Sequence, residues 1–458
     1  MTGSRSFYRG RFALTSLSLE MVDDNHIVTD FILNTKYESL PSAVQYQAKR
    51  CLLDVLGATL AGTTTPVGRI ISRFAAEQYI GSEATILMTH TKASLVGATL
   101  ANAFAANALD IDDGYRFIKG HPGANVFPAG LAVAEKEGKS GEELLEALVV
   151  GYEVAIRAGL ILHDTYSSYH GSGSWGAIGA AAAVSKLLSL RSDVICSALG
   201  IAEYHAPMTP MMRSINCPSM LKDGIGWGSM GGVSAALLAK RGFTAIDSLL
   251  GNREYEHLIA QLGQRFEMLN LYFKPYPCCR WSQPAVDGAL AIIAQHHVSP
   301  HEIDRVVVRT FRAATRMTVT RPRDTEEAQY SLAFPVAATI VDGEFGLKHV
   351  LGERLQDEAI LQLADKVEIA LSKELEDAFP ERCLCEVEII TEEGQRYGSG
   401  VVAAKGDQDI PLSDKHLERK FRELAGCAVN PRKVQDLIEM VRHFEEVEDV
   451  GRLIEELR

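Results

Sequence analysis

From Ile27 to about Leu262, apolar residues recur at the three-to-four spacing that gathers them on one stripe of a helix, and Gly, Pro or Ser separates each segment from the next. A helix is predicted over 41–61, where Pro41 suits a first turn and Ala43, Val44, Ala48, Cys51, Leu52, Val55 and Leu56 fall on one face. Another is predicted over 139–162, where Ser140 and Glu143 stand at capping-box spacing ahead of Leu144, Leu145, Leu148, Val149 and Tyr152. Segments 177–190 and 233–240 are so alanine-rich that neighbouring backbones can approach closely, as in a buried helical core. No alternating strand pattern interrupts this half.

The texture changes near Ala285. After a helical stretch over 285–296, runs at 306–308, 367–371, 383–391 and 397–404 are rich in β-branched residues and alternate, with a Glu-Glu-Gly-Gln turn between the last two. Helical spacing returns at 331–341 and from Ser413 onward. The reading is a mostly α protein: an extension over 1–26, a large all-α domain over 27–283, a smaller inserted α+β lid over 284–412, and C-terminal helices over 413–458 that rejoin the first domain. Ligand is expected in the cleft between the two.

Composition removes whole classes of function. Of 458 residues, 47% are hydrophobic and 23% charged, which is ordinary for a globular chain. With 46 Lys and Arg against 59 Asp and Glu the formal charge is −13, a field that repels phosphate backbones, so nucleic acid is not expected as a partner. The apolar stretches fall short of the roughly 20 residues a membrane span needs, and residues 1–26 lack a signal-peptide core. Eight scattered cysteines suggest neither a disulfide framework nor a metal-ligand spacing, so a reducing, cytoplasmic setting is the expectation.

Four segments carry candidate chemistry. Asp110, Asp112, Asp113, Arg116, Lys119 and His121 follow directly on an alanine-rich helix, and carboxylates this close cannot all ionise freely. A divalent-cation site is a second reading of that run, weakened by the competing Arg116 and Lys119. His170 precedes the helix that begins near Trp175, where helix-end N–H groups favour a neutral imidazole and an anionic ligand. Gly226-Trp-Gly-Ser-Met-Gly231 has the letters of a dinucleotide loop without a preceding strand; its glycines are read as close packing, with Lys222 near the helix start. Lys274-Pro-Tyr-Pro-Cys278-Cys279-Arg280 sets two thiols beside two cations, which is expected to favour a thiolate. Local positive groups in a negative protein point to a small anionic ligand.

Ala108-Leu-Asp-Ile-Asp-Asp113, His121-Pro-Gly123, Gly151-Tyr-Glu-Val154, Lys274-Pro-Tyr-Pro-Cys278 and the stretch from Leu412 through Lys420-Phe-Arg-Glu-Leu424 together resemble the MmgE/PrpD family, over about 27–424. That family includes 2-methylcitrate dehydratases, cis-aconitate decarboxylases and an iminodisuccinate epimerase. The resemblance implies a helical domain with an α+β lid, a homodimer, no metal or organic cofactor, and proton transfer at carbon next to a carboxylate of a di- or tricarboxylic acid. It places catalytic positions on Asp110, His121, His170, Lys222 and Lys274. Gly114, Cys279 and Phe334 stand where the decarboxylases carry Thr, His and Tyr.

The expected mechanism has Lys274 and Lys222, with Arg116, Lys119 or Arg280, holding substrate carboxylates. His121 or His170, oriented by Asp110, moves the proton, and Cys279 serves as a second acid-base group. A dehydratase or decarboxylase is the leading expectation, a two-base epimerase the alternative, and a non-catalytic carboxylate binder a third.

Overall fold

The computed structural model describes residues 25–166 and 168–458, so the expected extension over 1–26 lies almost wholly outside the described residues. Ten helices come first: α1 Asn25–Asn34, α2 Ser42–Thr63, α3 Pro66–Gln78, α4 Leu95–Asn107, α5 Pro122–Glu137, α6 Gly141–Thr165, α7 Gly173–Leu187, α8 Ser192–Tyr204, α9 Met211–Asn216 and α10 Ile225–Lys240. Local chemistry sets their ends. Thr65 caps α3 with Pro66 in its first turn, and Ser140 and Glu143 close the capping box of α6 that their spacing implied.

Small residues then let these helices close on one another. A Cβ on Gly179 of α7 would lie 2.6 Å from the Gly151 carbonyl oxygen of α6, and one on Gly228 of α10 would lie 2.4 Å from the Gly173 carbonyl oxygen of α7. The Gly226–Gly231 run therefore serves helix packing: it lies inside α10, and a Cβ on Gly226 would strike the Phe104 ring at 2.2 Å. The all-helical expectation for this half missed a short antiparallel ribbon, β1 Ala84–Ile86 with β2 Thr91–Ala93. Strands of three residues are too short to display a period of two.

A short helix, α11 Glu256–Ile259, precedes the second unit, which runs α12 Gln283–His296, β3 Ile303–Thr310, α13 Thr325–Gln329, α14 Ala333–Asp342, α15 Leu347–Leu351, α16 Glu358–Ala364, β4 Val367–Leu371, α17 Lys373–Asp377, β5 Leu384–Thr391 and β6 Arg396–Ala403. The sheet order is β4-β3-β5-β6: β3 pairs parallel with β4, Val306 opposite Val367, and antiparallel with β5, Val308 opposite Val387. Helix α12 covers β5 and β6, and α14 packs on α12 and β4. The protein is thus a large helical domain with a smaller α+β domain.

Three helices follow the sheet: α18 Asp414–Ala425, capped by Ser413, then α19 Pro431–Arg442 and α20 Gly451–Glu456. Leu417, Phe421, Leu437, Ile438 and Leu453 join the apolar core of the helical domain, and α18 and α19 pack on α2. A second core fills the lid and takes in Leu109, Ile111, Met211 and Ile215 from the helical part. The two units therefore share packed surface, and a cleft opens along that seam. Among the described residues no helix is long and apolar enough to cross a membrane.

Candidate active site

The end of α4 delivers the acidic run. Asn107 ends the helix, and Asp110 takes a left-handed backbone, φ +49°, in a turn from which Asp110 reaches His121 and Lys274, Asp112 reaches Asn107 and His121, and Asp113 reaches Tyr152. Lys119 and Lys222 adopt the same conformation, φ +49° and +51°. Strain of this kind at non-glycine residues persists where the surrounding structure holds it, and here it falls on three candidate site positions.

His121 stands at the start of α5, one residue before Pro122. Its Nε2 lies 3.1 Å from Asp110 Oδ1, and its Nδ1 lies 3.2 Å from Asp112 Oδ2 and 2.9 Å from the Asp113 carbonyl oxygen. A carbonyl only accepts, so Nδ1 carries a hydrogen, and Nε2 faces a carboxylate that asks for a second. Burial alone would lower the imidazole pKa, but Asp112, with hydrogen bonds to Asp110 and Asp112, carries it well above its ordinary value. The resting ring is an imidazolium. Sequence reasoning had offered His121 as a group that moves the proton in either direction; its two carboxylate neighbours favour the protonated, donating form.

Lys274 is fully buried with its Nζ 2.8 Å from the same Asp110 Oδ1. Burial opposes charge on both groups. Mutual attraction wins: Lys274 is raised by Asp110 and Asp112, and Asp110 is held well below the carboxylate range by Lys274 and His121. Asp110, Asp112 and His121 also offer donor atoms within 4.8 Å of one another, a set of the size a metal ion uses. Lys274 and the doubly protonated ring already supply the positive charge that these carboxylates would lend to a cation, so the cluster reads as an ion-paired proton site.

Behind this layer, Asp113 accepts from the Tyr152 hydroxyl at 2.6 Å and from Gly123 N–H at 3.2 Å. Burial and the nearby Asp54 push its carboxyl up to about 7. Lys420, arriving on α18, pairs with buried Asp54 and donates to the Ile111 carbonyl at 2.6 Å, which pins the acidic loop from below.

The cleft has about 580 Å³ of space between its walls, part of it open to solvent. Asp110, Arg116, Lys119, His121, Cys279 and Arg280 line it, together with Tyr169, Asp223, Tyr272, Trp281, Tyr330, Phe379 and others. Lys274 sits directly behind Asp110. Lys222 lies deeper, its ammonium on Gln329 Oε1 and 5.4 Å from the Tyr330 ring centre, with its pKa lowered by burial. His170 does not line the cleft. It precedes α7 by three residues, accepts or donates at 3.2 Å with Ser168 Oγ, packs edge-on against Tyr166, and is kept neutral by burial.

Two expectations change on chemical grounds. The Cys278 and Cys279 thiols are both pushed up, not down: burial dominates, and for Cys279 the Asp110 charge adds to it against Lys274. Cys279 is therefore a protonated thiol. Arg280, expected to grip substrate, is already engaged by the protein: Nη2 pairs with Asp407 at 2.6 Å and with the Ala404 carbonyl, and Nη1 donates to the Lys405 carbonyl at 2.7 Å. Arg116 pairs with the same Asp407 at 3.0 Å and donates to the Glu381 carbonyl. These arginines tie the lid to the helical domain. Among the described residues Lys119 is the lining cation without a carboxylate in ion-pair range; its Nζ lies 5.6 Å from the Tyr169 ring centre, and burial lowers its pKa.

The departures at Gly114 and Phe334 are filled by neighbours. A Cβ on Gly114 would lie 2.4 Å from the Tyr272 hydroxyl, so Tyr272 occupies the room a threonine would take. Phe334 is fully buried away from the cleft, while Tyr330, four residues earlier, presents a hydroxyl to it. Tyr272, Tyr330 and Asp223 were missed by sequence reasoning. Each stands within four residues of a position it singled out, but a lone Tyr or Asp carries no spacing signal.

Fold and cleft together define a class: a two-domain, mostly helical protein with a buried histidine–lysine–carboxylate cluster in the wall of its cleft. The chain belongs to the MmgE/PrpD family, residues 26–262 matching the MmgE/PrpD N-terminal domain and residues 276–446 the MmgE/PrpD C-terminal domain. It is similar to cis-aconitate decarboxylase of Homo sapiens, 26% identical with 91% of each chain covered. It is also similar to the cis-aconitate decarboxylase-like protein oryM of Aspergillus oryzae, 25% identical over 93% of this chain and 95% of the relative, and to cis-aconitate decarboxylase of Aspergillus terreus, 23% identical over 92% and 93%.

Proposed function

We propose that the protein is a lyase acting without a cofactor on a small di- or tricarboxylic acid, and that it removes water from a hydroxy acid. The observation that carries this reading is the His121 imidazolium, held between Asp110 and Asp112 beside Lys274 in the cleft wall. Lys274 and Lys119 supply the positive field in which charge develops on the substrate's carboxylate, and His121 supplies a proton. The relatives are named for decarboxylation. Dehydration is favoured here because Cys279, a protonated thiol, stands where the decarboxylases carry histidine, while an acid suited to a departing hydroxyl is retained. A protonated thiol is also a poor second base, which weighs against an epimerase.

Incubation with a panel of hydroxy di- and tricarboxylates is expected to give an unsaturated acid absorbing in the ultraviolet, with deuterium entering the substrate pool from heavy water. Carbon dioxide release from an unsaturated acid, or deuterium at a stereocentre with no change of product mass, would replace this reading.

We further propose a homodimer through α3 and α10. Both pack on α4, and they leave Ile70 and Phe74, and Trp227 and Leu238, with 55, 40, 41 and 39% of their surface exposed, an apolar area better covered than wet. Light scattering is expected to give twice the chain mass for the wild type and a lower mass for Trp227→Glu. A monomeric wild type ends this proposal.

A further inference from the structure

Two carboxylates face the cleft, Asp110 and Asp223. Asp110 is committed to Lys274 and His121. Asp223 has no cation within ion-pair distance among the described residues; its Oδ2 accepts from Ser172 Oγ at 3.0 Å and its Oδ1 from the Tyr330 hydroxyl at 3.2 Å. The backbone holds it firmly. Residues on either side, Lys222 and Gly224, have φ +51° and +71°, and the Asp223 carbonyl accepts from Gly173 N–H at 3.0 Å at the start of α7.

Ser172 also ties this carboxylate to the acid of the site, because the His121 backbone N–H donates to Ser172 Oγ at 3.1 Å. One serine thus bridges the residue that carries imidazolium and a carboxylate exposed to the same small space. Burial raises the Asp223 carboxyl above its ordinary value, with Asp110 adding to the effect and His121, Ser172 and Lys222 opposing it. The result is a carboxylate more basic than a solvated one, beside a donor whose own pKa is raised. Such a separation of environments is how one pocket runs acid and base chemistry together.

We propose that Asp223 is the base that removes the carbon-bound proton of the substrate. The inference deepens the lyase reading and rests on it. The Asp223 carboxylate takes the proton from carbon next to a substrate carboxylate, which leaves an enolate that can regain a proton; in a second step the enolate's electron pair forms the carbon–carbon double bond as the C–O bond breaks. The departing oxygen takes a proton from His121 and leaves as water. Asp223 then loses its proton to solvent and His121 gains one, which restores the starting state.

In heavy water, D223N is expected to lose at least about 100-fold in both carbon-bound deuterium exchange and product formation, whereas His121→Asn loses product formation but keeps far more of the exchange. Exchange in D223N within threefold of wild type overturns the base and leaves the lyase reading standing. A wild type that neither exchanges nor forms product overturns both. Tyr330→Phe gives a second readout that survives poor folding of D223N. It removes a donor to the carboxylate, so the acid limb of kcat/KM against pH is expected to move to higher pH. A limb that stays in place also overturns the proposal.

Discussion

His121→Asn is expected to lower kcat by about 10²- to 10⁴-fold while the chain stays folded, because it deletes the proton donor and leaves the carboxylates their lysine. The pH profile sharpens this. The imidazole pKa is raised in the folded protein, so the active, protonated form persists through neutral pH, and activity is expected to fall only as pH rises through that raised value. The same sign governs stability. A raised histidine contributes fully below its unfolded value of about 6.5, and that contribution is lost as pH climbs through the folded one. Steady-state rates from pH 5 to 10 for wild type and variant test it. A wild-type alkaline limb near 6.5 would show that the two carboxylates do not hold the ring charged.

Lys274→Met is expected to cost both rate and stability. Lys274 is fully buried, and removing it leaves Asp110 and Asp112 facing the single charge of His121 in a dry site. Breaking a buried pair by removing one partner costs about 3–5 kcal/mol, and losing one preorganised charge costs about 10²-fold or more in rate. The stability deficit has a pH signature. It is largest at neutral pH, where Asp110 is ionised, and shrinks as pH falls and Asp110, no longer held down by Lys274, takes up a proton. Urea unfolding at pH 7 and pH 4.5 measures it; equal deficits at the two values would mean that Lys274 matters for packing alone.

How much of this was legible in the chain varies with the kind of signal. Helices with caps and periodic stripes, such as α2 and α6, were readable because their signals are local. The acidic run, His121 and Lys274 were readable as charged residues in apolar surroundings, and family motifs strengthened them. Their ionisation was not. Whether His121 gives or takes a proton depends on two carboxylates folding onto opposite edges of its ring, and whether Cys279 ionises depends on burial outweighing a nearby lysine. Arg280 looked free because Asp407, which occupies it, is 127 residues downstream, beyond any periodic pattern. Asp223 was overlooked beside Lys222 because its partners, Ser172 and Tyr330, come from segments about 50 and 100 residues away.

The ion pair between Asp54 and Lys420 joins the second helix to a late one, on either side of the whole lid. A ribosome that has finished the lid has made every lining side chain of the cleft yet has not supplied the cation that neutralises Asp54 and holds the Ile111 carbonyl. Translation order thus makes the last tenth of the chain the closing piece of the catalytic floor, and a prematurely stopped product would carry a complete set of cleft residues on an unfinished foundation.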